Sequence, residues 1–261
     1  MLTLFTFKLK RLKMKKLLLL TTLSISLFAI SSEEVAQKSY AVISGYKSSL
    51  SKTTMILKNA EGVENIRKLE MKKIEGADGD KSLINFLYPD DLKDTKLLSF
   101  EVIGGDDKQW LYLPSLKRIK RISSRNKSGS FMASEFSYED ISSQNYKNYS
   151  YSGEAEELSK EGVTFYKITR TPIDANSGYS KQVVWVNKAS FLAKYGEYYD
   201  KQNRLLKKIH FAEYKVIDGI QRVVKIVIEN VQNGKSSSLT WDEDAINAGI
   251  KSSELSKRAL K

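Results

Sequence analysis

The chain has 261 residues, 41% hydrophobic, 10% aromatic and 28% charged, with only three prolines, a composition that describes an ordered globular protein and excludes a low-complexity one. The absence of cysteine excludes disulfide scaffolds, thiol enzymes and cysteine-ligated metals. A single histidine, His210, excludes paired-histidine metal motifs and leaves little room for a histidine relay.

The N-terminal stretch reads as a cleavable secretory signal. Lys8, Lys10, Arg11, Lys13, Lys15 and Lys16 precede an apolar and hydroxyl run from Leu17 to Ile30, which closes on Ala29-Ile30-Ser31. That run is shorter than the roughly 20 residues of a spanning helix; a retained anchor is the alternative. A signal over residues 1–31 leaves one domain over residues 32–261, with no cysteine to carry a lipid at its start. Six of the 43 basic residues leave with the signal, so the formal charge of +12 falls to about +6, and a nucleic-acid partner loses its electrostatic support.

From Ser32 to Leu50 the apolar residues Val35, Ala36, Tyr40, Ile43, Tyr46 and Leu50 recur at spacings of three and four behind Glu33 and Glu34, which predicts an amphipathic helix. Beyond Ser51 the texture changes to short segments rich in Val, Ile, Thr, Tyr and Phe, punctuated by Gly, Asn and Asp. Strands are expected near 53–58, 64–73, 81–87, 95–103, 108–113, 149–157, 163–171, 180–186, 192–199, 205–216, 221–230 and 236–241, with Asp218-Gly219 and Asn233-Gly234 as hairpin turns. Several alternate cleanly; Leu98, Phe100 and Val102 oppose Ser99 and Glu101. The fold class that follows is mainly β: an antiparallel meander too long to stay flat, curling into a half barrel. An outer-membrane barrel is the rival, but the many Lys, Arg and Glu at polar positions disfavour a lipid-facing wall. The tail after Asp242 is polar, with a short helix expected near Ser252 to Leu260.

The stretch from Pro114 to Ile141 departs from strand alternation. Lys117, Arg118, Lys120, Arg121, Arg125 and Lys127 are followed at once by Phe131, Met132, Glu135, Phe136, Tyr138, Glu139 and Asp140. One reading is a docking element, with cations for an anionic headgroup, a membrane surface or an acidic partner, beside an apolar lip of Phe131, Met132 and Phe136. The plainer reading is a solvated turn whose cations pair with Glu135, Glu139 and Asp140. The aromatic and apolar residues Phe86, Tyr88, Leu98, Phe100, Trp110, Tyr112, Trp185 and Phe211 either line a cavity or fill an ordinary core.

Conventional chemistry finds few candidates. Three S-x-x-K matches, at Ser44, Ser49 and Ser124, lack the companion elements of a serine acyl-enzyme family. His210 is expected on the exposed face of a strand, and Asp90-Asp91 and Asp106-Asp107 are turn pairs without the ligand spacing of a calcium loop. No cofactor, metal or catalytic residue is expected.

The segment Gln109-Trp110-Leu111-Tyr112-Leu113-Pro114-Ser115-Leu116-Lys117-Arg118-Ile119-Lys120-Arg121-Ile122, followed by Ser128-Gly129-Ser130-Phe131-Met132-Ala133-Ser134-Glu135-Phe136-Ser137-Tyr138-Glu139-Asp140, closely resembles the LolA-like family of periplasmic outer membrane lipoprotein-sorting proteins. The likeness runs on through Lys81-Ser82-Leu83-Ile84, Trp185-Val186-Asn187-Lys188, Glu197-Tyr198-Tyr199-Asp200 and Ile217-Asp218-Gly219, with Ala133 where glycine is usual and Asn187 where aspartate is usual. The resemblance implies an unclosed antiparallel barrel covered by helices, a hydrophobic concavity for lipid or lipoprotein acyl chains, and a periplasmic carrier. It also implies, as the alternative, an adaptor of an inner-membrane exporter working through the basic segment. The opening helix and the segment from Phe131 to Tyr138 are the expected lid.

Overall fold

The computed structural model describes residues 29–142 and 144–261, so all but the last three residues of the expected signal lie outside the described residues. One helix, α1 (Ser32–Ala41), opens the described chain. Ser31 caps it, its hydroxyl accepting the Glu34 N–H at 3.1 Å, and the acids of the first turn and Lys38 in the last suit the helix dipole. It is shorter than expected. It ends at Ala41 with Val42 as its C-cap, and Gly45, at φ +101, then turns the chain, so Ile43, Tyr46 and Leu50 fall outside α1 and Leu50 lies in a strand.

Fourteen strands follow: β1 (Ser48–Lys58), β2 (Glu64–Ile74), β3 (Lys81–Tyr88), β4 (Lys96–Phe100), β5 (Lys108–Leu113), β6 (Arg118–Ile122), β7 (Tyr149–Tyr151), β8 (Glu156–Lys160), β9 (Val163–Pro172), β10 (Tyr179–Asn187), β11 (Ala193–Asp200), β12 (Leu205–Ile217), β13 (Ile220–Asn230) and β14 (Ser236–Ile246). Two exceed the expectation. The predicted strand near 149–157 divides at Gly153, whose φ is +69, and the supposed loop after Pro114 contains β6, hairpinned onto β5. The Asp218-Gly219 turn takes positive φ at both residues, as a tight hairpin between β12 and β13 requires.

All strands join one antiparallel sheet in the order β6-β5-β4-β3-β2-β1-β14-β13-β12-β11-β10-β9-β7, with β8 beside β7 on the outer side of β9. The first and last strands therefore pair in its middle, and the edges are β6 at one side and β7 with β8 at the other. Register shifts at Lys52/Thr53 and between Phe211 and Tyr214 add local twist to the longest central strands.

Both faces of the sheet are covered in part. On the concave face Met55, Leu69, Ile84, Phe86, Leu97, Leu111, Ile209, Ile228 and Leu239 form the main core. Toward the β9 and β10 side, α1 lays Val35 and Ala36 on Tyr166, Ile168, Val184 and Val186. On the convex face Leu83, Leu98 and Trp110 are buried by Leu255 and Leu260. The tail makes two short 3-10 turns, Ser252–Glu254 and Lys257–Leu260, in place of the expected helix, and they are pinned by Lys72 to Glu254 at 2.8 Å and by Lys96 to the Ala259 carbonyl at 3.1 Å. Leu255→Ala is expected to lower unfolding stability by about 2–4 kcal/mol, the cost of a cavity behind a fully buried leucine, measured by urea denaturation.

Candidate functional site

The 26 residues that connect β6 to β7, numbered 123–148, must travel from one edge of the open sheet to the other, and they do so across its concave side. Midway they drop Phe131 and Phe136 into the concavity, where they are 1% and 4% exposed. Phe131 packs on Phe86 at 5.7 Å between ring centroids and edge-on against Tyr138 at 5.6 Å. A short bridge closes the loop, with Phe131 N–H donating to Phe136 O at 2.7 Å and Ser134 Oγ donating to Phe131 O at 2.7 Å. Met132 and Ala133 both take left-handed backbone, φ +50 and +63, which explains why glycine suits the second position. At the other departure, the Asn187 side-chain oxygen accepts the Ala189 and Ser190 N–H groups, a turn role that aspartate fills equally well.

Polar contacts hold this plug to the sheet. Asp140 accepts from the Tyr179 hydroxyl at 2.9 Å and from Lys207 Nζ at 2.7 Å, all three side chains buried. Gln109 Nε2 donates to the Tyr138 carbonyl, Asn230 Nδ2 to Glu135, and Arg67 to the Met132 carbonyl. Glu139 Oε1 accepts the Gly178 N–H at 2.9 Å; a Cβ on Gly178 would lie 2.6 Å from the Ser128 Cβ, so only glycine admits the plug this closely.

Beyond the plug the concave face changes character. A cavity of about 200 Å³ is lined by Ser49, Ser51, Ser82 and Ser99 together with Met71 and Trp241, and charged groups border it, Lys73 paired with Asp80 at 2.7 Å and Arg222 with Asp244 at 2.8 Å. That volume lies below the 300–1,000 Å³ typical of a ligand pocket, so with the plug seated this cavity has no room for a long acyl chain. At the mouth a wider open groove of about 640 Å³ runs between Ile66, Tyr88, Leu92, Ala133 and Glu135.

The residues expected at the site divide into separate groups. Phe86, Phe131, Met132, Phe136 and Phe211 meet in the concavity, and Tyr88 lies in the groove at its mouth. Leu98, Phe100, Trp110 and Tyr112 do not join them: they cluster on the convex face under the C-terminal turns, with Lys257 4.3 Å above the Trp110 ring. Trp185 lies between Val184 and Val186, which face α1, and so points to the convex side, opposite Lys167 and Tyr195. Among the inward residues missed are Leu97, Leu111 and Ile84, each the neighbour of a convex-side apolar residue. Where both faces are buried, alternation no longer says which member of a pair such as Leu97-Leu98 looks inward.

Two other expectations are corrected. His210 is half-buried rather than exposed, stacked on Tyr195 at 5.2 Å, with its Nε2 buried and unpartnered; burial, then the charges of Lys194 and Lys160, pushes its pKa down. The local pairing considered for the basic segment does not occur, because Glu135, Glu139 and Asp140 are all engaged inside the plug. Among the described residues, Lys127 is the cation of this segment that is paired, with Asp174 and, at 3.9 Å, with Asp106. Lys117, Arg118, Lys120, Arg121 and Arg125 have no ion pair, side-chain hydrogen bond or ring contact among the described residues, and all five are exposed.

The polar contacts that hold the plug give two predictions. Asp140→Asn leaves Lys207 as a buried, unpaired cation and is expected to cost about 3 kcal/mol of stability in denaturant unfolding. Burial, reinforced by the neighbouring Asp140 charge, raises the Glu139 pKa against the opposing Gly178 hydrogen bond. A carboxyl raised by folding destabilises the fold as pH climbs above the ordinary carboxylate range. Glu139→Gln, which keeps the acceptor, is therefore expected to be more stable than the parent at neutral pH and to lose that advantage on acidification.

A family model described only as that of an uncharacterized protein matches residues 78–261. Among solved structures, a candidate outer membrane lipoprotein-sorting protein domain from Vibrio parahaemolyticus is 40% identical with a TM-score of 0.83, over 87% of this chain and 97% of that one. A DUF1329 family protein from Desulfovibrio piger is 30% identical with a TM-score of 0.83, over 88% and 98%. A LolA superfamily protein from Nitrosomonas europaea, 18% identical, has the same fold at a TM-score of 0.72 over 88% and 100%. No curated protein matches the sequence. An open antiparallel sheet and this degree of identity lead to one assignment: the chain has the fold of the LolA superfamily protein and belongs to the family of the outer membrane lipoprotein-sorting protein domain and the DUF1329 protein.

Proposed function

We propose that the protein is a periplasmic carrier that takes lipid or lipoprotein acyl chains into its concavity in place of the Phe131 and Phe136 side chains and helps deliver them toward the outer membrane. Residues 1–31 then serve as the export signal and residues 32–261 as a single lipid-binding domain. Among the described residues no helix is long and apolar enough to cross a membrane. The observation that carries the reading is that two phenylalanines from a connecting segment, not from the sheet, fill the apolar part of the concave face. The sorting role in the description of the Vibrio relative supports it.

The energetics suit exchange without covalent chemistry, as expected of a non-enzymatic carrier. Two buried phenylalanines are worth about 3–6 kcal/mol, and roughly eight acyl methylenes leaving water gain about 6 kcal/mol, so chain and plug compete on nearly equal terms. Measured from a bilayer rather than from water that gain largely disappears, so release to a membrane is downhill and loading has to be driven by the donor. Tight, one-way storage would need a permanently open hollow, and this concavity is closed at rest.

A second role has its own support. The five unpartnered cations of the β5–β6 hairpin and the turn after it fit a docking surface, for an exporter or for a membrane, that would operate while the concavity carries cargo.

Native mass spectrometry of the protein purified from its own periplasm is expected to show a bound lipid or acylated species. Phe131→Asp with Phe136→Asp and the double alanine variant both remove the apolar competitor for the concavity, and both are expected to extract phospholipid from vesicles at least as readily as the parent. Absence of bound lipid under every condition contradicts the carrier.

A further inference from the structure

The sheet leaves β6 with one side paired to β5 and the other unpaired; among the described residues no backbone group bonds to that outer side. An unpaired strand edge is a template for another extended chain. Here the template carries a charge selector. Lys117, Arg118, Lys120, Arg121 and Arg125 are all without partners, while the nearby acids have turned inward to hold the plug. A charged edge also guards against indiscriminate pairing, and cations of one sign repel a basic strand and attract an acidic one.

The geometry favours an edge-on partner over a flat surface. Arg118 and Lys120 lie opposite Leu113 and Leu111 on the concave side, whereas Arg121 lies opposite Trp110 on the convex side. Cations projecting to both faces cannot all meet one plane, but they flank a strand laid against the edge between them. A second copy of the chain is a poor occupant: its acidic edge β8 has Glu156 and Glu157 already paired with Lys167 and Lys188, and two copies each near +6 repel.

We propose that the free side of β6 accepts an extended acidic segment of a partner protein as an added strand, its backbone pairing with Arg118–Ile122 and its carboxylates meeting Lys117, Arg118, Lys120 and Arg121. The proposal rests on the docking role of the basic hairpin and not on what the concavity holds. Binding of this kind draws affinity from main-chain hydrogen bonds and specificity from the flanking charges.

The test titrates the isotope-labelled protein with a short capped peptide of repeating glutamate–glutamate–valine, which as a strand carries carboxylates on both faces, with its lysine–lysine–valine counterpart, and with the acidic peptide N-methylated along its backbone. Amide–amide NOEs between the acidic peptide and residues 118–122 are expected. Affinity should fall roughly tenfold or more on N-methylation and with Arg118→Glu plus Arg121→Glu, and the lysine peptide should not bind. Binding that survives N-methylation overturns strand addition while keeping a charge-driven docking surface. Preferential capture by anionic phospholipid vesicles, with Leu116 at the hairpin tip 60% exposed and available to insert, assigns the hairpin to a membrane instead and overturns the proposal. No charge-dependent binding to peptide or vesicle ends both the proposal and the docking role.

Discussion

The pairing of the first strand with the last, in the middle of the sheet, is the constraint on which the rest of the molecule depends. It turns the strands on either side of the chain's midpoint into the two outer edges, so the segment that joins them has to cross the open side of the half barrel. A crossing segment of this length over an apolar concave face either carries its own apolar groups or leaves that face wet. Phe131 and Phe136 resolve the choice by filling the concavity. The principal lid is thus a consequence of topology, and α1 covers only the far side of the concave face, over β9 and β10.

The crossing segment also sorts the charges. Glu135, Glu139 and Asp140 face the sheet, where Asn230, the Gly178 N–H, Tyr179 and Lys207 satisfy them; the cations that precede them in sequence stay outside without partners. The plug is held by directional polar contacts around a non-directional apolar filling. Such an arrangement has one well-defined seated state.

Much of this was legible in the residues. The change from helical to strand texture, the Asp-Gly turn between β12 and β13, the length of the meander and the resemblance carried by Gln109 to Asp140 together specify an open antiparallel half barrel with Phe131 and Phe136 in its lid. What escaped has physical causes. Leu97-Leu98 and Trp110-Leu111 are apolar doublets because the C-terminal turns bury the convex face as well, so a rule that needs one wet face assigns Leu98, Phe100, Trp110 and Tyr112 to the wrong side. The basic β6 was hidden because its period-three apolar spacing does not resemble alternation, and only pairing with β5 makes it a strand. The partners of Glu139 and Asp140 lie some 39 and 67 residues away in sequence, beyond any local pattern.

The proposed carrier role requires the plug and the cargo to occupy the same space in turn. Hydrogen exchange of residues 131–141, followed in the protein alone and after loading from phospholipid vesicles, measures this most directly. The predicted result is that these amides are protected when the concavity is empty of lipid and exchange freely once a lipid is bound, while the strands beneath keep their protection. Stoichiometric lipid bound with the plug still protected would contradict it.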